Sequence, residues 1–181
     1  MPDSVTRIDQ HPFSSTDKLL LDANVWLFIY SPQYRPSDQP GKTYSSAYKQ
    51  ILKAHSQVFI DGIVLSEFVN VLARLAFNSM GATDRPSDFK AFRKSSSFRP
   101  VAESIADSCR RIFKDSNRIE SGFASLDVEA LIDCYEAGRC DVNDLILTEL
   151  CKSEELTFVT DDADFRESGL TILTANARLL R

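Results

Sequence analysis

Leu19-Leu20-Leu21-Asp22-Ala23-Asn24 and, much later in the chain, Phe158-Val159-Thr160-Asp161-Asp162-Ala163-Asp164-Phe165 share one pattern, a short apolar run that ends in acid. A few apolar residues closed by polar ones suit a strand buried on both faces, the condition of a strand inside a parallel sheet. In such sheets the working groups stand just beyond the carboxyl ends of the strands. The two stretches therefore predict two strands whose acids face one crevice.

The pattern extends outward in both directions. After Asp22, residues 25–30 read as a helix with Asn24 as its cap. Residues 31–42 hold Pro32, Pro36, Pro40 and Gly41 and read as a loop. A helix follows over residues 44–55, then a strand at Val58-Phe59-Ile60, with Asp61 placed to cap the next helix. That next helix carries Val64, Phe68, Val71, Leu72 and Leu75 on a core-facing stripe and Glu67, Asn70 and Arg74 on another face. Residues 78–100 are mixed, with a short helix predicted around residues 88–94 and Pro100 at the first position of the next one. In that helix Ile105, Cys109, Ile112 and Phe113 form the apolar face, and Arg111, Lys114 and Arg118 line its outer side. Residues 123–126 suit either a strand or a loop, residues 128–136 a helix, and residues 141–153 another. Strands at 157–160 and 170–173 close the pattern. Strands and helices alternating through short connections imply a parallel sheet covered by helices on both sides. The fold expected is α/β, a three-layer α/β/α arrangement around a central, mainly parallel sheet of four or five strands. Residues 1–17 are polar and without period, and read as a flexible arm; residues 18–181 read as a single domain with extra segments around 31–42 and 78–100.

Bulk composition agrees with one folded domain. The chain has 181 residues, 43% hydrophobic, 26% charged and 10% aromatic, enough for one core and not for two ordinary domains. No apolar run reaches the roughly 20 residues of a membrane-spanning helix, and the opening lacks a signal-peptide core, so the expected location is the cytoplasm without membrane association. Cys109, Cys134, Cys140 and Cys151 include no C-x-x-C pair, and with only His11 and His55 beside them they read as buried reduced thiols rather than a zinc site. The net charge is −5, yet it is unevenly spread. Residues 85–118 hold nine basic and four acidic side chains, whereas residues 119–181 hold fourteen acidic and five basic ones. That asymmetry suits a phosphate-binding rim beside a carboxylate cluster, and it equally suits two solvated faces.

The acids carry the chemical argument. Asp22 and Asp162 follow strands, Glu67 sits early in a helix, and Asp144, with Asp141 one turn before it, opens another. Carboxylates brought together raise one another's pKa unless a cation neutralises them. A donor set of oxygen alone, without histidine or cysteine, favours a hard ion such as Mg²⁺ or Mn²⁺. Each acid also has a structural reading. Asp22 or Asn24 could cap a helix, Glu67 could pair with Arg74, Asp141 has capping-box spacing to Asp144, and residues 161–164 could form an ordinary acidic turn.

These same stretches resemble a known family. Leu20-Leu21-Asp22-Ala23-Asn24 resembles the opening of a PIN domain, and Leu65-Ser66-Glu67-Phe68-Val69-Asn70-Val71-Leu72 its glutamate-bearing helix. Asp141-Val142-Asn143-Asp144-Leu145-Ile146 resembles its third acidic motif, and the stretch from Phe158 to Phe165 its fourth. The small bacterial members are VapC-like ribonuclease toxins. The resemblance implies a Mg²⁺- or Mn²⁺-dependent endoribonuclease that hydrolyses RNA with metal-activated water, leaving a 5′-phosphate and a 3′-hydroxyl. It implies Asp22, Glu67, Asp144 and Asp162 as catalytic metal-binding acids, Asp164 and Asp141 as auxiliaries, and Asn24 and Thr160 as supporting residues. Lys90, Arg93, Lys94, Arg99, Arg111, Lys114 and Arg118 become candidates for holding RNA. A homodimer and an antitoxin partner follow from the same resemblance. The alternatives are an inactive module of this fold that binds RNA or scaffolds proteins, and another Mg²⁺-dependent α/β phosphoesterase; against the latter, Asp22-x-Asn24 stands where a phosphatase would place D-x-D.

Overall fold

The computed structural model describes residues 4–31, 39–81, 83–138 and 141–181. Among these, six strands form one sheet: β1 Ser4–Arg7, β2 Lys18–Leu21, β3 Gln57–Ile60, β4 Asn117–Arg118, β5 Thr157–Val159 and β6 Thr171–Thr174. Their order is β1-β6-β5-β2-β3-β4, and every pairing is parallel. Seven α-helices flank it in a roughly three-layer α/β/α arrangement: α1 Ala23–Tyr30, α2 Gln39–Ala54, α3 Gly62–Asn78, α4 Phe89–Lys94, α5 Phe98–Asp115, α6 Val128–Glu136 and α7 Val142–Ser153.

From β2 the chain moves through β3 to β4 on one side, then crosses back to place β5 and β6 on the other. The strand order thus reverses between β2 and β5, the kind of switch point where open α/β sheets leave a crevice. Leu19, Leu20, Leu21, Phe158 and Val159 of these two central strands are at most 1% exposed, as expected for strands covered on both faces. Around them pack Trp26 of α1, Tyr44 and Ile51 of α2, Val64 and Phe68 of α3 and Ile112 of α5. The α3 stripe is as the spacing predicts, with Val64, Phe68 and Leu72 buried and Glu67 turned out.

Several expectations are corrected. The sheet has six strands rather than four or five, because two short edge strands escape periodicity. The arm read over residues 1–17 is not loose throughout: Ser4–Arg7 pairs with Thr171–Thr174, and Ile8 behind it is 1% exposed. A backbone ladder needs no apolar side chains, so a polar edge strand leaves little trace in the sequence. Of the loop expected at 31–42, residues 32–38 lie outside the described residues, and the remainder from Gln39 is already helical. Pro40 stands in the first turn, where its missing N–H costs no helical hydrogen bond. Helix α5 begins at Phe98, so Pro100 is its third residue rather than its first. Residues 123–125 form a 3₁₀ turn, and β4 had no counterpart in the sequence reading. Cys109 and Cys151 are free, but Cys134 is disulfide-bonded, a pairing that spacing alone could not report. Cys140 lies outside the described residues.

Candidate active site at the sheet's switch point

Register fixes the centre of the site. Leu21 pairs with Val159, so the next residues, Asp22 and Thr160, emerge level with one another at the carboxyl ends of β2 and β5. The Thr160 hydroxyl donates to Asp22 Oδ2 at 2.6 Å, and the Asn24 amide donates to the same oxygen at 2.6 Å. Asp22 Oδ1 accepts from the Ala23 N–H at 2.6 Å, which makes Asp22 the N-cap of α1. The cap stands two residues before the expected Asn24, which lies inside the helix and reaches back. Its Oδ1 accepts from the Asp161 N–H at 3.2 Å, and Thr160 Oγ1 accepts from the Asp162 N–H at 3.0 Å. Asn24 and Thr160 thus tie the start of α1 to the turn after β5.

The remaining acids come from three other places. Asp61 caps α3 by accepting from the N–H groups of Ile63 and Val64, at 2.6 and 3.2 Å, which sets the helix that carries Glu67. Glu67 has no ion pair among the described residues, and Arg74 lies over the Phe89 ring instead of pairing with it. Asp141 caps α7, accepting from the Asn143 N–H at 2.8 Å, and Asp144 stands in that helix's first turn. Asp162 opens a 3₁₀ turn over Ala163–Glu167 by accepting from the Asp164 N–H at 3.0 Å.

Electrostatics links these acids. Burial pushes Asp22 up to about 7; the Thr160 and Ala23 hydrogen bonds oppose the rise, and the charges of Glu67 and Asp162 add to it. Partial burial pushes Asp144 up to about 6, reinforced by Asp141, Asp162, Asp164 and Glu67. Glu67 is raised by desolvation first and then by Asp141 and Asp162. Asp22, Glu67 and Asp144 are thus each raised in part by the charges of acids from other parts of the chain, as carboxylates near a shared space are.

In the side-chain conformations present, no group of three or more His, Cys, Asp or Glu among the described residues converges closely enough to hold a metal ion. In kind, the donor set fits a hard divalent cation, since it is all oxygen and its members destabilise one another's charge. Glu67 and Asp162 are exposed and Asp144 half-buried, so the side chains that would have to turn are those with room to do so.

Two clefts open beside the acids. One, of about 1160 Å³, runs along α6 and α7 past Asp141, Asp144 and Thr148 to Asp164 and Arg166. The other, of about 330 Å³, is lined by Asn24, Phe28, the turn from Asp161 to Asp164, Asn176 and Arg178. The basic residues proposed from sequence lie elsewhere. Lys90, Arg93 and Lys94 are on α4, Arg99, Arg111 and Lys114 on α5, and Arg118 ends β4 level with Ile60. All are exposed, and none lines either cleft. Arg99 is engaged with Glu103 at 3.0 Å.

Sequence reasoning missed Tyr44. Read only as part of a helical stripe, it is 1% exposed, yet its hydroxyl is a junction. It reaches Asp161 Oδ1 at 2.8 Å and the Thr160 carbonyl at 3.1 Å, and accepts from the Ala175 N–H at 2.9 Å. The Asn176 amide donates to the Asp161 carbonyl at 2.5 Å. Tyr44 and Asn176 hold the turn after β5 against the turn after β6. Asp161 lines the smaller cleft together with Asp162 and Asp164, but its Oδ1 is engaged by the Tyr44 hydroxyl.

Comparison with known proteins agrees with this geometry. No curated protein sequence matches the chain. Among solved structures, a chain of the crystal structure of VapBC2 from Rickettsia felis, bound to a DNA fragment from their promoter, superposes with a TM-score of 0.53 at 16% identity. The match covers 86% of this chain and 97% of that one, and it shows a shared fold. The sequence profile of the PIN domain matches residues 19–169, a span that contains every acid of the crevice, and the chain accordingly belongs to the PIN domain family.

Proposed function

We propose that the chain is an endoribonuclease that requires Mg²⁺ or Mn²⁺ and cuts RNA phosphodiester bonds with an activated water. The observation that carries this reading is the set of acids delivered to the switch point, of which Asp22, Glu67 and Asp144 are each raised first by burial and then by the charge of Asp162 and other acids of the set. Asp22, Glu67, Asp144 and Asp162 would hold the cation, with Asp164 and Asp141 as auxiliaries. When bound, a divalent ion there lowers the pKa of water and stabilises charge on the phosphoryl oxygens. Thr160 and Asn24 keep Asp22 oriented by donating to its Oδ2, while its Oδ1 stays on the α1 cap. Family membership supports a nuclease, since PIN domains are typically nucleases.

The likeness to a chain of VapBC2 supports an antitoxin as protein partner, and with it a toxin role. The apolar stripe of Val128, Ile132 and Tyr135 exposed on α6 supports a protein partner of some kind, including a second copy in a homodimer. No described helix is long and apolar enough to cross a membrane, and we place the protein's work in the cytoplasm. A second reading, a module that binds RNA without cutting it, is favoured by the unclosed arrangement of the acids. Incubation of the pure protein with an RNA pool in Mg²⁺ or Mn²⁺, with and without EDTA, separates the two. The nuclease reading expects cleavage that EDTA abolishes, with 5′-phosphate and 3′-hydroxyl ends; intact RNA with either ion would overturn it.

A further inference from the structure

The two clefts meet at the acidic turn: Ala163 and Asp164 line both. RNA approaching Asp144, Asp162 and Asp164 brings phosphates toward carboxylates, so cations at that place matter more than cations on distant helices. The clefts hold three cationic side chains, Lys152 and Arg166 in the larger and Arg178 in the smaller. Lys152 is paired with Glu149 at 2.9 Å. The guanidinium groups of Arg166 and Arg178 have no hydrogen-bond or ion-pair partner among the described residues, although acids line the same clefts.

Both arginines are nevertheless rooted in fixed backbone. Arg166 follows Phe165, which is 3% exposed and packs on Phe158 with ring centroids 4.7 Å apart. Arg178 precedes Leu179, also 3% exposed, and its own N–H donates to Asn176 Oδ1 at 2.9 Å. Each is a free guanidinium on an anchored stem, and guanidinium matches phosphate by paired N–H donors. Arg178 lies beyond the span that matches the family profile.

We infer that a single RNA strand crosses the acidic turn from one cleft to the other, with Arg166 holding a backbone phosphate on one side and Arg178 on the other. The inference rests on the nuclease reading for its choice of RNA. It assigns the substrate path to the sheet's switch point, and the basic residues of α4 and α5 to outlying surface.

The test compares wild type with Arg166→Gln, Arg178→Gln and, as a control outside the clefts, Lys114→Gln. Cleavage of single-stranded RNA in Mn²⁺ is measured alongside anisotropy binding of a labelled single-stranded RNA in EDTA. Each arginine variant is expected to weaken binding and raise KM about tenfold, equally across RNA sequences, with kcat nearly unchanged. Each should also reduce the slope of log affinity against log salt by about 0.7, as for one lost phosphate contact on a single strand. The control should behave as wild type. Arginine variants with wild-type affinity and salt slope would overturn the inference even if the protein cuts RNA. Binding that depends on both arginines in a protein that never cuts would keep the inference and remove the nuclease reading; a protein that neither binds nor cuts would remove both.

Discussion

The acids at the switch point come in two kinds, and the contrast explains how the site is built. Asp22, delivered by a strand, is 6% exposed and held by three hydrogen bonds, from Ala23, Asn24 and Thr160. Glu67 and Asp144, delivered by helices, have no ion pair among the described residues and sit where solvent reaches them. Sheet register can set a position closely because a slip of one residue would turn every side chain over. A helix sets only the face on which a side chain stands, and its acid keeps rotameric freedom. The strand side is therefore a fixed reference, and the helix side is what a cation would gather.

Substitutions should separate the two kinds. On the helix side, Glu67→Gln or Asp144→Asn is expected to lower kcat/KM for RNA about a thousandfold, equivalent to several kcal/mol of barrier. The same changes should raise the metal-free melting temperature at pH 8, because each removes a charge that its neighbours oppose. A parallel loss of activity and stability would show these residues to be structural.

The next effect is a pH dependence set by Asp22. Its folded pKa of about 7 lies above its unfolded value, so between about pH 4 and 7 the native state binds more protons than the unfolded state. Stability of the metal-free protein should be greatest below about pH 4 as far as this group is concerned. It should fall as pH rises through 7, by a total on the order of a few kcal/mol. Chemical denaturation in EDTA at pH 5.5 and 8 checks this, and saturating Mn²⁺ should reverse the loss at pH 8. Equal stability at both pH values would show that Asp22 is not held against its charge.

The smallest effect concerns Tyr44. Tyr44→Phe keeps the buried ring but removes the junction between the turns after β5 and β6, leaving the Ala175 N–H without its acceptor. The expected cost is about 1 to 3 kcal/mol of stability. For a chain of this size that is a fall in melting temperature of a few degrees per kcal/mol. Calorimetry checks it; an unchanged melting temperature would mean that the strand side is less tightly held than its hydrogen bonds imply.

What the sequence disclosed follows the same division. The central strands were legible because burial on both faces leaves unbroken apolar runs, and Asp22 and Asp162 were legible because they end such runs. Glu67 stood out against the apolar stripe of α3. The edge strands β1 and β4 were not legible, since their contribution is backbone pairing with exposed side chains. Tyr44 was legible as core but not as a hydrogen-bond junction, because its partners lie more than a hundred residues away. Arg166 and Arg178 gave no signal in a segment dominated by acids, while the denser basic run at 85–118 drew attention to α4 and α5.

Whether Asp22, Glu67, Asp144 and Asp162 share a cation is read out by anomalous scattering from crystals grown or soaked with Mn²⁺. A peak is expected among those four side chains, with Glu67 and Asp144 turned toward it and Asp22 unmoved. A crevice without a peak, at Mn²⁺ concentrations well above those needed for RNA cleavage, would contradict a shared cation.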